Sequence, residues 1–74
     1  MTVVVHVQLL EEGTATARPT QAVPLENGLY KLLPTPDYDP EDEVWEFPPG
    51  AVVRCQWKKT ADAENILLAY EQIG

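Results

Sequence analysis

The chain has 74 residues, with five Lys or Arg against twelve Asp or Glu and a formal net charge of −7 at pH 7. A chain this short fills one hydrophobic core, so residues 1–74 are predicted to form a single domain. The negative charge disfavours binding to nucleic acid or anionic membranes and favours a basic protein partner. The single cysteine, Cys55, cannot form an internal disulfide, which is typical of a reducing cytoplasm.

The first ten residues, MTVVVHVQLL, predict a β-strand. They lack the basic segment and small-residue cleavage site of a signal peptide, and no apolar run in the chain is long enough to span a bilayer. β-Branched residues alternate along the strand, which is typical of one buried face. That face carries Val3, Val5, Val7 and Leu9. The next three residues, Glu11–Gly13, are expected to form a hairpin turn.

The following segment, TATARPTQAVPL, favours extended backbone but contains Pro19 and Pro24. Proline cannot donate a hydrogen bond to a ladder, so this strand is expected to be short, interrupted or at a sheet edge. Asn27-Gly28 then indicates a type I′ hairpin turn, because both of its central positions need positive φ. Residues 29–33 are predicted to form the returning strand.

Residues 34–43 combine three prolines with five acidic residues, which predicts a loop. VWEF, residues 44–47, is predicted to be a short strand, and the Pro-Pro-Gly after it a turn. AVVRCQWKK alternates again, which indicates a strand with one core face and one mostly solvated face. The expected core positions are Ala51, Val53, Cys55 and Trp57. Arg54 and Lys58, on the other face, are expected to offset acids across the sheet.

The last segment, residues 60–73, permits two interpretations. Apolar residues stand at helical spacing, with Thr60 as a possible N-cap and Gly74 as a stop. Alternatively, ILLAY is a buried strand after a turn-rich connection. We favour the strand, because an all-β chain that closes its sheet needs a last strand. The predicted fold is therefore an all-β small barrel, closed or partly open, with five to six antiparallel strands. It is SH3-like, with an OB-like barrel as the alternative.

Two stretches resemble small bacterial proteins without assigned function. They are TPDYDPEDEVWEFPPGAVVRC, residues 35–55, and EGT…RP…ENGLYKLL, residues 12–33, and the WEFPPG block at residues 45–50 is the most specific part. Ala17 stands before the Arg-Pro pair, where the family has an aromatic residue. The resemblance implies a C-terminal strand and brings no activity, cofactor or catalytic residue.

Six of the twelve acidic residues fall between Asp37 and Glu46, which makes this segment the candidate site. Asp37, Asp39 and Glu41 have the spacing of the first ligands of an EF-hand, but Asp42 and Pro48 replace its glycine and its bidentate glutamate. The sequence therefore predicts no metal site and no cofactor here. The residues expected to contact a partner are Asp37, Tyr38, Asp39, Glu41, Asp42, Glu43 and Trp45.

Trp45 and Phe47 are two residues apart on a strand and so point to the same face. We expect Phe47 to fill the core. Trp45 either fills the core beside it or, directly after the acidic run, is partly exposed and contacts a partner. Tyr30, Tyr38 and Trp57 could extend an aromatic surface beside the acids, as in the peptide grooves of SH3 domains.

Nothing in the sequence predicts catalysis. His6 and Cys55 have opposite parity relative to the core stripes, and one His with one Cys cannot complete a zinc site. The expected function is a non-enzymatic, cytoplasmic interaction module that contacts a basic protein or a second copy of the chain. The alternatives are a metal-binding or metal-dependent small enzyme that uses the carboxylates of residues 37–46, and a purely structural homodimeric domain.

Overall fold

The computed structural model describes residues 1–10, 16–36, 38–59 and 65–74. The predicted turn at Glu11–Gly13 and the candidate site residue Asp37 lie outside the described residues. The described residues contain six strands, and a tight turn at Glu26–Gly28 joins the second to the third. The strands are β1 (Val3–Leu10), β2 (Thr16–Pro24), β3 (Leu29–Leu32), β4 (Val44–Trp45), β5 (Val52–Lys58) and β6 (Ile66–Gln72).

The six strands form one sheet in the order β2-β3-β5-β6-β1-β4, and β2 also pairs with β1. Five strands are therefore hydrogen-bonded in a ring, with β4 added to the end of β1. The predicted all-β fold is confirmed, and the SH3-like description fits it broadly. One feature differs from the prediction, since the sheet is mixed and β1 pairs with β6 in parallel, through His6 and Leu68.

The parallel pair follows from the number of strands in the ring. Each antiparallel pairing reverses the strand direction, and an odd number of reversals cannot return to the starting direction. The other four pairings in the five-stranded ring are all antiparallel. The last pairing, between β6 and β1, must therefore be parallel.

The alternation along β1 correctly predicts its buried face. Val5 and Val7 are completely buried and Leu9 nearly so, while Val4 and Leu10 on the other face are exposed. The remaining core residues come from the other five strands and from the position just before β5. They are Ala22, Leu32, Trp45, Ala51, Val53, Leu67 and Ala69.

β2 is longer than its prolines suggest. It runs for nine residues without a break, and Pro19 lies inside it, opposite His6. The strand tolerates Pro19 because β3 pairs with β2 only from Ala22 onward. The sequence predicts that β2 is short, interrupted or at a sheet edge. The edge position applies around Pro19, whereas a short or interrupted strand is wrong.

The two glycine turns follow the predicted geometry. Asn27 has φ 63° and Gly28 has φ 73°, which are the two positive values that a type I′ turn requires. In the second turn Gly50 has φ 92°, and the Ala51 N–H donates to the carbonyl of Pro48 over 3.1 Å. Both turns are set by local sequence, which is why the pattern alone predicts them.

β5 departs from its predicted core face at one position. Ala51 and Val53 are buried and Cys55 is half-buried, but Trp57 is 69% exposed. The prediction of a core Trp57 is therefore wrong. β3 pairs with β5 only over Val52–Arg54, so the end of β5 that carries Trp57 runs past its neighbour.

The C-terminal segment is a strand, as favoured, and not a helix. Ile66, Leu67, Leu68 and Ala69 are buried, which means that both faces of β6 are covered in its first half. The pairing with β5 shifts between Arg54 and Cys55, where Tyr70 is the extra residue of a β-bulge. A strand buried on both faces shows no alternation, which explains why a helix remained possible from the sequence.

Candidate interaction surface

Asp39 organises the acidic loop from within. Its carbonyl accepts hydrogen bonds from the backbone N–H groups of Asp42 and Glu43, over 3.0 and 2.9 Å. Its carboxylate Oδ1 accepts a third, from the backbone N–H of Glu41, over 2.9 Å. This side-chain bond two residues along the chain is the Asx-turn that aspartate favours. The apex of the loop therefore has a defined turn around Asp39.

Glu43 attaches the loop to the sheet. Its Oε1 accepts a hydrogen bond of 3.0 Å from the indole N–H of Trp45, and its Oε2 forms an ion pair with the Arg18 guanidinium on β2. The hydrogen bond from Trp45, aided by Arg18, lowers the pKa of the Glu43 carboxyl from its ordinary value of 4.5. Glu43 is thus a structural anchor and is partly shielded from solvent.

Trp45 lies in the core, so of its two possible placements the partly exposed one is wrong. It is 5% exposed, and on β4 it pairs with Leu9 of β1. Tyr38 packs edge-on against it with ring centroids 4.8 Å apart, and Phe47 also packs against the core. Phe47 therefore behaves as expected, whereas Trp45 is unable to present its ring to a partner. A chain this small uses the large indole to complete its core.

The expected aromatic surface beside the acids does not form. Tyr30 and Tyr38 pack against the core cluster. Trp57 belongs to β5, which pairs with β3 and β6, whereas the strand that follows the loop, β4, pairs with β1. The exposed residues of the described part of the loop are instead carboxylates and prolines. Asp39, Glu41 and Asp42 are all exposed at its apex. The described candidate residues therefore fall into two groups. The three acids at the apex are exposed, whereas Tyr38, Glu43 and Trp45 are buried or half-buried.

Arg18 is the residue of this region that sequence reasoning missed. It has the same parity as Thr20 and Ala22, which are buried on the inward face of β2. The Arg18 side chain starts on this face but stays exposed, so its long stem can carry the guanidinium to an acidic residue beside the core. That parity was the signal available in the sequence, and the acidic loop supplies the partner through Glu43.

The structure offers little for metal or nucleophilic chemistry among the described residues. Within residues 1–10, 16–36, 38–59 and 65–74, no group of three or more His, Cys, Asp and Glu side chains is arranged to hold a metal ion. Burial raises the pKa of the Cys55 thiol to about 11 and lowers the pKa of His6. A thiol with a raised pKa is a weak nucleophile, so Cys55 behaves as a small apolar side chain.

The fold and this surface define a small all-β domain with an anchored acidic loop. Comparisons with protein families, curated proteins and solved structures gave no match for the chain. The resemblance to small bacterial proteins therefore stays a prediction. Among the described segments, no helix has the length and apolar character needed to cross a membrane.

Proposed function

We propose that the protein is a non-enzymatic interaction module whose acidic loop binds a basic protein in the cytoplasm. The observation that carries the proposal is the exposure of Asp39, Glu41 and Asp42 together at the apex of one loop. The turn around Asp39 and the anchor at Glu43 support it further, because a preorganised loop loses less conformational entropy on binding. The single cysteine supports the proposed compartment.

The contact set is smaller than the sequence predicts. Trp45 is buried and Glu43 is engaged by Arg18, so both support the loop instead of touching the partner. The expected partner presents Lys or Arg side chains, since exposed carboxylates accept charge-assisted hydrogen bonds. A second copy of the chain is less well matched, because each copy carries a net charge of −7.

The test is affinity capture with the double variant Glu41→Gln/Asp42→Asn as bait. Both side chains are exposed and keep their shape, so the fold should be unchanged while two charges are lost. We expect the wild type to retain a set of basic proteins at low salt, and the variant to lose them. The measurement is quantitative mass spectrometry of the captured proteins at two salt concentrations.

The matched control is Glu26→Gln/Glu71→Gln, which changes the net charge equally but lies outside the loop. Both of these side chains are exposed, and the Arg54–Glu71 ion pair that the control removes is itself exposed, so the control also leaves the core untouched. The control should capture the same proteins as the wild type. Equal losses in both variants would show that net charge alone attracts the partners, and no loss in either would refute the proposal.

A further inference from the structure

β5 is paired on both sides only at its beginning. β3 covers Val52–Arg54, whereas β6 continues along the other side to Lys58. From Cys55 to Lys58, no described residue pairs with the side of β5 that β3 leaves open. An open strand edge of this kind has unpaired backbone groups that can accept another strand.

The side chains along this open edge have an unusual composition for this chain. Three of the five basic residues, Arg54, Lys58 and Lys59, lie within six positions. Trp57 stands among them and is 69% exposed, while Gln56, Lys58 and Lys59 are also exposed. By strand alternation, Arg54 and Lys58 share one face, and Cys55 and Trp57 share the other.

We propose that this edge, Cys55–Lys58, binds an extended acidic segment of another protein by strand addition. Side chains that lie directly opposite on neighbouring strands are about 5 Å apart. Arg54, just before this edge, is opposite Leu29 of β3 and forms an ion pair with Glu71. Acidic residues on one face of the added strand would therefore meet Lys58. Apolar residues on its other face would cover Trp57. The ligand is thus a segment in which acidic and apolar residues alternate.

A second copy of the chain is a poor occupant of the same edge. Antiparallel pairing of two β5 strands would bring the basic residues of one copy beside those of the other, and like charges placed opposite each other are destabilising. Lysine on an open edge is a recognised means of preventing self-association. Lys58 and Lys59 would therefore admit an acidic strand and repel a copy of β5.

This surface is distinct from the acidic loop. Trp57 pairs with Leu67 of β6, and the next residue, Leu68, pairs with His6 of β1. Because β6 and β1 are parallel, Leu67 lies on the side of His6 that faces the start of β1. The acidic loop instead leads into β4, which pairs with Leu9 and Leu10 at the far end of β1. The Trp57 end of the edge therefore lies towards the start of β1, whereas the end of the acidic loop lies towards the far end of β1. Failure of one proposal leaves the other standing.

The probe is a capped octapeptide in which glutamate alternates with valine, titrated into the full chain and followed by NMR. We expect the largest shifts at the amides of residues 55–59 and at the indole N–H of Trp57. Lys58→Glu should weaken binding about fivefold or more, because it replaces an attraction by a repulsion. Lys31→Glu is the matched control and should bind normally, since Lys31 is exposed but its strand is paired on both sides.

Two further measurements separate strand addition from other events. A peptide with N-methyl groups at alternate residues keeps its charges but loses backbone donors, so it should bind more weakly. Equal binding by that peptide, or no effect of Lys58→Glu, would overturn the proposal. Sedimentation should show a monomer, and a dimer that dissociates in Lys58→Glu would assign the edge to a second copy instead.

Discussion

Glu43 connects two parts of the molecule through one carboxylate. One oxygen accepts the indole N–H of Trp45 and the other pairs with Arg18. The loop therefore depends on a side chain that the sequence places among five similar acids. Its role differs from theirs because only Glu43 directly precedes β4, where it forms an ion pair with Arg18 of β2.

Replacement of Glu43 by Gln should lower stability in a pH-dependent way. The pKa of Glu43 is lowered in the folded state, so its charge stabilises the fold above about pH 4.5 and this contribution is lost as pH falls through the folded pKa. We expect Glu43→Gln to cost about 0.5–1 kcal/mol near neutral pH. Urea unfolding of both proteins at neutral and acidic pH measures this difference.

The matched comparison is Glu46→Gln, which removes an exposed charge three residues away. It should leave the free energy of unfolding nearly unchanged at both pH values, because an exposed charge contributes little. A loss in Glu43→Gln that persisted at acidic pH would show that charge is not the cause.

Individual side chains were predictable from sequence only where alternation decides them. The valines of β1 are buried as alternation predicts. The two tryptophans do not follow this pattern. Trp57 is expected in the core but is exposed, whereas Trp45, a candidate contact residue, is buried. Parity gives the face of a strand, but it does not tell where a neighbouring strand stops. β3 begins at Leu29, opposite Arg54, so it does not reach Trp57 and leaves it exposed. Where β3 begins to pair with β5 depends on tertiary structure.

At the scale of elements, the turn at residues 48–51 joins β4 to β5 and carries a conformational requirement. Gly50 has φ 92°, in the region that side chains with a Cβ rarely adopt. A Cβ added at Gly50 would meet no atom within 4 Å, so any cost of substitution comes from backbone conformation alone. We expect Gly50→Ala to lower the free energy of unfolding by about 1–2 kcal/mol, measured by urea denaturation.

Gly50→Asn tests the reason for this cost. Asparagine adopts positive φ more readily than alanine, so Gly50→Asn should be less destabilising. Gly74→Ala is a second comparison, because the backbone of Gly74 does not have positive φ and it should be neutral. Equal destabilisation by alanine and asparagine would contradict the conformational explanation.

Elements set by local chemistry were the ones that could be predicted. β1, the Asn27-Gly28 turn and the Pro-Pro-Gly turn all follow from patterns within a few residues. The length of β2 does not follow from local sequence. β2 can contain Pro19 because β3 pairs with β2 only from Ala22 onward, which is a feature of the tertiary structure. The strand at the C-terminus was favoured over a helix for a tertiary reason, which is that the sheet needed a last strand.

The whole molecule has a small core and therefore little excess stability. The core of a domain this small rarely supplies more than about 3–5 kcal/mol of stability. Leu32 is among its largest completely buried side chains. Leu32→Ala should cost about 2–5 kcal/mol and leave much of the protein unfolded at room temperature. Circular dichroism during thermal unfolding would show this as a weak or absent transition.

Leu25→Ala is the comparison for the core substitution. Leu25 is of the same residue type but is 42% exposed in the connection between β2 and β3. We expect its midpoint of unfolding to stay close to that of the wild type, because a surface substitution usually changes stability by about 0.5 kcal/mol or less. Similar losses at Leu25 and Leu32 would mean that the core does not limit stability.

The parallel pairing of β6 with β1 has a consequence for the two ends of the chain. The strands run side by side in one direction, so β1 starts at one end of the ring and β6 finishes at the other. A peptide that linked Gly74 to Met1 would have to span roughly seven strand residues, or about 23 Å. Circular permutation therefore needs a long linker.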